Sequence, residues 1–355
     1  MGIATFAAAR DRLLAVDSAD APVSTVLHEL LAALHDVATF GWCALLLTDT
    51  ETMLPFGGLV EGLDPATCVP YWDNELLDPD FAKFNALARS SDPVAVLSDL
   101  TDGDLGRSPR YVKLFAPIGG GDEVRVAFST GSSCWAVASL VRPADRGPFP
   151  ADEVQRVRDL VPVAARAVRS AVMRRDRADA ECHPTMLVIG SDGAVVSATP
   201  GADGLLAEFS TSGVDHPTPT MVLAAARRAM NTKSFSRVTL RARGTSGRWF
   251  RLHASPLEER GQVAVMIEPA GPADLVSIVL ESYGLTERES EVVPLLARGL
   301  STKEIAAEMC ISRHTVNDHI KVIFTKCGVT SRGELVARLF SEHILDGHDA
   351  ETIHR

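Results

Sequence analysis

The sequence predicts a multidomain chain. An α/β region spans residues 1–176, an α+β region 183–268, a linker with an apolar helix 269–284, and an all-α four-helix region 285–342. Three observations carry this reading. The length of 355 residues suits two or three domains. Strand-like apolar runs alternate with helical spacing up to residue 268 and then stop. Beyond the Pro/Gly stretch PAGPAD (269–274), three hydroxyl residues are each followed three positions later by Glu: Thr286 and Glu289, Ser301 and Glu304, Ser331 and Glu334. Each such capping box opens a helix.

In the first region, residues 23–39 follow Pro22, a favoured first helical residue, with helical apolar spacing. WCALLLTDT (42–50) is a short apolar run of the kind buried strands show. Residues 122–129 and 133–141 read as a hairpin about Thr130-Gly131-Ser132. A long helix begins near 151 and buries Val154, Val157, Leu160, Val161, Ala164, Val168 and Val172, with a kink expected at Pro162. In the second region MLVIG and AVVSA flank Asp192-Gly193 as a tight strand pair. Helices follow near 201–209 and 218–231, and strands at 235–242, 248–255 and 262–268 close the region. LVSIVLESY (275–283) is a short, very apolar helix that needs a packing partner.

Charge is uneven along the chain. The net charge is −11. Residues 1–284 hold 26 Lys and Arg against 35 Asp and Glu, a net of −9, whereas residues 285–340 hold 8 against 7. Residues 13–82 carry 12 acids and no Lys or Arg. Such a surface repels nucleic acid and anionic membranes, so any DNA contact falls to the C-terminal region. No apolar stretch approaches the length of a membrane span, and no basic segment precedes an apolar run at the start. The six cysteines form no C-x-x-C pair. A cytoplasmic protein with no membrane partner, no metal and no cofactor is expected.

The four C-terminal helices are predicted at about 286–298, 302–309, 313–327 and 331–342. A short helix, a tight turn about Cys310-Ile311-Ser312 and a longer helix is the helix-turn-helix plan. On the third helix, Val316, Ile320, Ile323 and Cys327 share one side. His314, Asp318, Lys321 and Thr325 lie opposite, with Asn317 at the margin and Arg313 and Lys326 at the ends. These residue types suit base edges and phosphates, and equally a solvated helix face.

At these residues the sequence resembles the LuxR-type helix-turn-helix family. The resemblance covers about 56 residues, from LTERESEVVPLLARGLSTKEIAAEMC to ISRHTVNDHIKVIFTKCGVTSR. It implies a DNA-binding transcription regulator that places its third helix in the major groove of double-stranded DNA. The DNA-facing set is then Thr302, Lys303, Arg313, His314, Thr315, Val316, Asn317, Asp318, Lys321 and Lys326. It also implies a homodimer formed partly through Leu335, Val336, Leu339 and Phe340 of the fourth helix. RNA polymerase is a further partner if the protein is an activator. Two departures bear on DNA binding. Asn317 stands where the family commonly has Lys, and Asp318 is acidic on a face that meets phosphates. Asp318 either accepts from cytosine N4 or pairs with Lys321 at i+3.

Residues 1–176 resemble a GAF-like sensor domain through RYVKLFAPIGGGDEVRVAF, SSCWAVASLVRP and PFPADEVQRVRDLVPVAARAV. Residues 183–268 resemble a PAS-like domain through MLVIGSDGAVVSATPGADGLL and SGRWFRLHASPLEERGQVAVMIE. Sensor domains imply a small-molecule effector. Tyr71, Trp72, Phe81 and Phe84 are the candidate pocket residues, and a packing role stays open for each. No phosphate-binding loop, nucleophile elbow or metalloprotease motif is present, so no enzymatic activity is expected. Two alternatives remain. One is a partner-binding adaptor with weakened DNA binding. The other is a haem- or redox-sensing regulator using His216, His253, Cys134 or Cys182.

Overall fold

The computed structural model describes residues 2–174, 183–209, 211–213, 216–231, 237–258 and 261–341. Residues up to Pro269 form one compact unit, the hairpin tip 131–133 aside, and residues from 270 onward belong to a second.

The N-terminal unit begins with α1 (Gly2–Ser18) and α2 (Val23–Val37), then strands β1 (Trp42–Thr48) and β2 (Pro55–Glu61). Next come α3 (Cys68–Leu76), the single turn α4 (Phe84–Leu87), β3 (Val94–Val96), the turn α5 (Leu97–Leu100), the hairpin β4 (Gly120–Thr130) and β5 (Ser133–Pro143), and α6 (Ala151–Met173). The strands form a sheet of order β2-β1-β5-β4-β3. β1 runs antiparallel to both β2 and β5, and β3 antiparallel to β4. This lobe is therefore α+β rather than the α/β arrangement expected. Short connections join β1 to β2 and β4 to β5 and return the chain antiparallel, whereas β1 pairs with β5 from a distant part of the sequence. α6 packs on β3, β4, α1 and α2. All seven residues expected on its apolar face are buried. The helix runs unbroken through Pro162.

The second lobe of this unit holds β6 (Thr185–Ile189), β7 (Val195–Ala198), α7 (Ala202–Leu206), α8 (Thr220–Asn231), β8 (Val238–Arg243), β9 (Trp249–Pro256) and β10 (Val263–Pro269). Its sheet has the order β7-β6-β10-β9-β8, with every pair antiparallel. α8 is buried on nearly all sides and apolar from Met221 to Ala226, because it packs on β8, β9 and β10 and also on α3 and β2 of the first lobe.

Polar contacts join the lobes as well. Asp49, 2% exposed, follows β1, and Arg241, 5% exposed, lies on β8. Asp49 Oδ2 accepts from Arg241 Nε at 2.9 Å and from its backbone N–H at 3.0 Å. Asp49 Oδ1 accepts from the Thr52 N–H and hydroxyl, both at 2.8 Å. Val60 N–H donates to Ser212 O at 2.8 Å, and Ser212 N–H to Gly58 O at 3.1 Å. Arg241 Nη2 also lies 3.3 Å from Glu51 Oε2, and a buried charge loses most when its buried counter-charge is removed.

The C-terminal unit contains α9 (Pro272–Ser282), α10 (Glu287–Ala297), α11 (Thr302–Glu308), α12 (Arg313–Cys327) and α13 (Arg332–Ser341). Thr286 and Ser301 make the reciprocal capping boxes that the sequence predicts. The third box differs. Ser331 Oγ accepts from Glu334 N–H at 3.2 Å, but the Glu334 carboxylate bonds Thr330, which offers both an N–H and a hydroxyl at 2.8 Å. Gly328 takes the left-handed conformation (φ 62°) that ends α12. Val292, Leu296, Ile305, Val316, Ile323, Cys327, Leu335 and Leu339 are buried apolar residues of these helices.

Candidate nucleic-acid interface

The face of α12 is set by its caps and its apolar side. Ser312 Oγ accepts from Thr315 N–H at 3.1 Å and fixes where the helix begins. Cys310, in the preceding turn, holds a left-handed backbone (φ 55°) between the end of α11 and the start of α12. With Val316 and Ile323 fully buried, the opposite side turns to solvent. Arg313, His314, Thr315, Asn317, Asp318 and Lys321 are all exposed there. Thr302 is half-buried and Lys303 exposed at the start of α11.

The sequence placed Val316 both on the buried side and among the DNA-facing residues. It has no exposed surface, because its side chain fills the domain core, and so it cannot reach a base. Ile320, expected on the buried side, is half-exposed. Asp318 lies 3.8 Å from His314 Nδ1 and 3.9 Å from Lys321 Nζ. It therefore offsets positive charge in the middle of the exposed face.

Lys326 has a second task. Its ammonium donates to Glu289 Oε2 at 2.7 Å and to Gly284 O at 2.9 Å. The end of α12 is thereby pinned to the start of α10, and one of the three ammonium protons is left for another acceptor. Burial pushes the Glu289 carboxyl pKa up. Hydrogen bonds from Lys326 and from the Thr286 N–H outweigh that and hold it below the ordinary carboxylate value. Arg332 Nη1 donates to Leu300 O at 2.8 Å and Nη2 to Leu296 O, so it caps the carbonyl end of α10. Arg338 does the same for Cys327 and Gly328 at the end of α12. Sequence spacing missed these roles, since each partner is at least ten residues away.

On α13, Leu335 and Leu339 are buried within the single chain. Two of the four apolar residues expected at a dimer contact are thus already used in packing. Val336 is half-exposed, and the Phe340 side chain lies outside the described residues.

Two of the four aromatic pocket candidates, Tyr71 and Phe84, lie beside buried ion pairs. Arg110 and Glu123 meet at 2.7 Å, and Arg125 and Glu75 at 2.7 Å. The Arg125 guanidinium stacks 3.5 Å from the Phe84 ring centroid, and Arg107 lies 5.4 Å from that of Phe81. Tyr71 and Trp72 pack edge to face at 5.3 Å. The hollow lined by these two holds about 40 Å³, room for water rather than an effector. Phe81 and Phe84 do not line it. Thus Tyr71, Trp72 and Phe84 are core residues, with Phe84 covered by Arg125. Of the haem and redox candidates, His216 Nδ1 contacts Thr218, and His253 bonds Thr239 at 2.9 Å. Burial pushes the Cys134 thiol pKa up, and Cys182 lies outside the described residues. Among the described residues no cluster of His, Cys, Asp and Glu could hold a metal, and no helix is long and apolar enough to cross a membrane.

These four short helices, with a capped, polar third helix, define a helix-turn-helix domain. Residues 283–339 match the bacterial regulatory proteins of the luxR family, so the C-terminal segment is a LuxR-type helix-turn-helix domain. Over 62 residues the chain is 40% identical to the oxygen regulatory protein NreC of Staphylococcus aureus. That match covers 18% of this chain and 29% of NreC, so the chain spans under a third of that curated relative's length. The structure of SdiA from Escherichia coli is similar over 94% of this chain and 96% of SdiA, at 15% identity and a TM-score of 0.33. That of the Vibrio cholerae VqmA dimer without target DNA covers 45% of this chain and 83% of VqmA, at 21% identity and a TM-score of 0.22. The family assignment rests on the C-terminal segment.

Proposed function

We propose that the protein is a DNA-binding transcription regulator whose N-terminal unit, GAF-like in its first lobe and PAS-like in its second, responds to a small ligand or partner. The observation that carries this is the LuxR-type domain at 283–339 with Arg313, His314, Asn317 and Lys321 exposed together on α12. In this reading Thr302, Lys303, Arg313, Thr315 and Lys326 hold the DNA backbone, and Asn317 and Lys321 read bases. The match to NreC spans 62 residues, 18% of this chain, and supports no more than a DNA-binding part. The low charge of residues 285–340 makes one copy a weak binder, which favours a homodimer on two half-sites. A ligand that favours one arrangement of the N-terminal unit shifts DNA affinity by its differential affinity for the two states. RNA polymerase is the further partner of an activator.

The test is selection of genomic fragments by the purified full chain at fixed salt. A two-fold-related site should be enriched, and Asn317→Ala with Lys321→Ala should weaken it by at least tenfold and relax its sequence preference. Asp318→Asn removes the central negative charge and should tighten binding several-fold at low salt, less at high salt. If no site is enriched and both variants keep the regulatory phenotype, the adaptor reading replaces this one.

A further inference from the structure

We propose that a cleft between the two lobes of the N-terminal unit binds a compact, uncharged ring compound carrying a hydroxyl or N–H donor. This deepens the effector part of the reading above.

The cleft holds about 170 Å³. That is close to the roughly 150 Å³ apolar cavity that accommodates benzene. Leu27 of α2, Leu47 and Phe56 of the β1–β2 pair, and Phe209 supply apolar walls, so both lobes contribute. Glu208 and Thr245 form a polar end. Glu208 Oε2 accepts from Ser246 N–H at 2.8 Å and from the Thr245 hydroxyl at 3.3 Å. The carboxylate is thus held in place, while Oε1 accepts from no described residue. A donor on the ligand would complete it. Arg243 also lines the cleft, so the two formal charges offset one another and an ionic ligand would meet a like charge.

Two adjacent glycines in β2 give an independent pointer. Gly58 is required by the backbone: its φ is +151°, and a Cβ there would lie 2.3 Å from Leu45 O. Gly57 has no such reason. A Cβ at Gly57 would meet only Leu47 Cδ1, at 3.9 Å. Glycine inside a strand weakens it and marks a bulge or a place where another group approaches closely, and the β1–β2 register shifts beside Gly57. At Gly57 the missing side chain keeps the cleft open. A ligand seated there touches both lobes and stabilises their association by linkage.

Saturation-transfer NMR of phenol and of benzene with the full chain tests this. Both should receive saturation at millimolar concentration. Gly57→Leu, which fills the cleft, should abolish the transfer to both without lowering the melting temperature. Glu208→Gln should weaken phenol several-fold and leave benzene unchanged. Absence of transfer to the wild-type chain, or equal transfer to wild type and Gly57→Leu, overturns the proposal. If Gly57→Leu does not fold, Gly57→Ala serves: a several-fold loss supports the site, and no loss overturns it. The assay contains no DNA, so its failure and that of the DNA-binding reading are separate results.

Discussion

The N-terminal unit and the C-terminal domain place their charged residues in opposite ways. The first buries whole ion pairs whose members are far apart in sequence: Asp49 with Arg241, Glu75 with Arg125, and Arg110 with Glu123. The second sets many of its charges at helix ends, where Glu289, Glu304 and Glu334 bond backbone N–H groups three or four residues away. Arg332 and Arg338 cap carbonyls from the adjoining helix. Burial makes a charge depend on a few partners brought together by folding. A helix end lets a charge act with groups the chain always supplies nearby, partly in water.

Breaking a pair in the first region should therefore cost most. Asp49→Ala takes away the buried acid beside the Arg241 guanidinium and leaves the exposed Glu51, 3.3 Å away, as its acidic neighbour. We expect a loss of about 3–5 kcal/mol in urea unfolding of the full chain. The double change Asp49→Leu with Arg241→Leu should recover much of that, since neither charge then remains. A double variant no more stable than Asp49→Ala would show that geometry, not charge, joins the lobes.

The C-terminal counterpart should be milder. Glu289→Gln should destabilise the helical domain by about 1.5–3 kcal/mol near neutral pH, the range for a hydrogen bond to a charged group. It also has a pH signature. The Glu289 pKa is lower folded than unfolded, so its contribution is complete above about 4.5 and disappears as pH falls through the folded value. The variant should be correspondingly less sensitive to acid over that interval, as followed by helical circular dichroism. Smallest of the three, Ser301→Ala removes one cap at an exposed helix start and should cost about 1 kcal/mol in the same assay. If its cost matched that of Asp49→Ala, the contrast between the regions would fail.

The same contrast explains what was legible in the sequence. The helices expected at 302–309 and 313–327 are observed at Thr302–Glu308 and Arg313–Cys327, because caps and glycine stops act over three or four residues. α1, β2, β3 and α3 were not foreseen. β2 holds two glycines and β3 only three residues, so neither shows strand periodicity, and each exists because a neighbouring strand pairs with it. The exposed side of α12 could be read from a 100° repeat. The burial of Val316, Leu335 and Leu339 depends on how neighbouring helices pack, which no single helix records. Glu208 and Gly57 are 151 positions apart and individually ordinary. Only folding makes them two sides of one cleft.

The Asp49–Arg241 contact also bears on heredity. A chain exchanged between relatives near residue 180 would inherit its acid from one parent and its guanidinium from the other. Where the parents differ at either position, the hybrid carries a stranded charge in dry surroundings. Exchanging both lobes together avoids that cost. A shortened gene ending near the same point keeps Asp49, loses Arg241 and so tests folding.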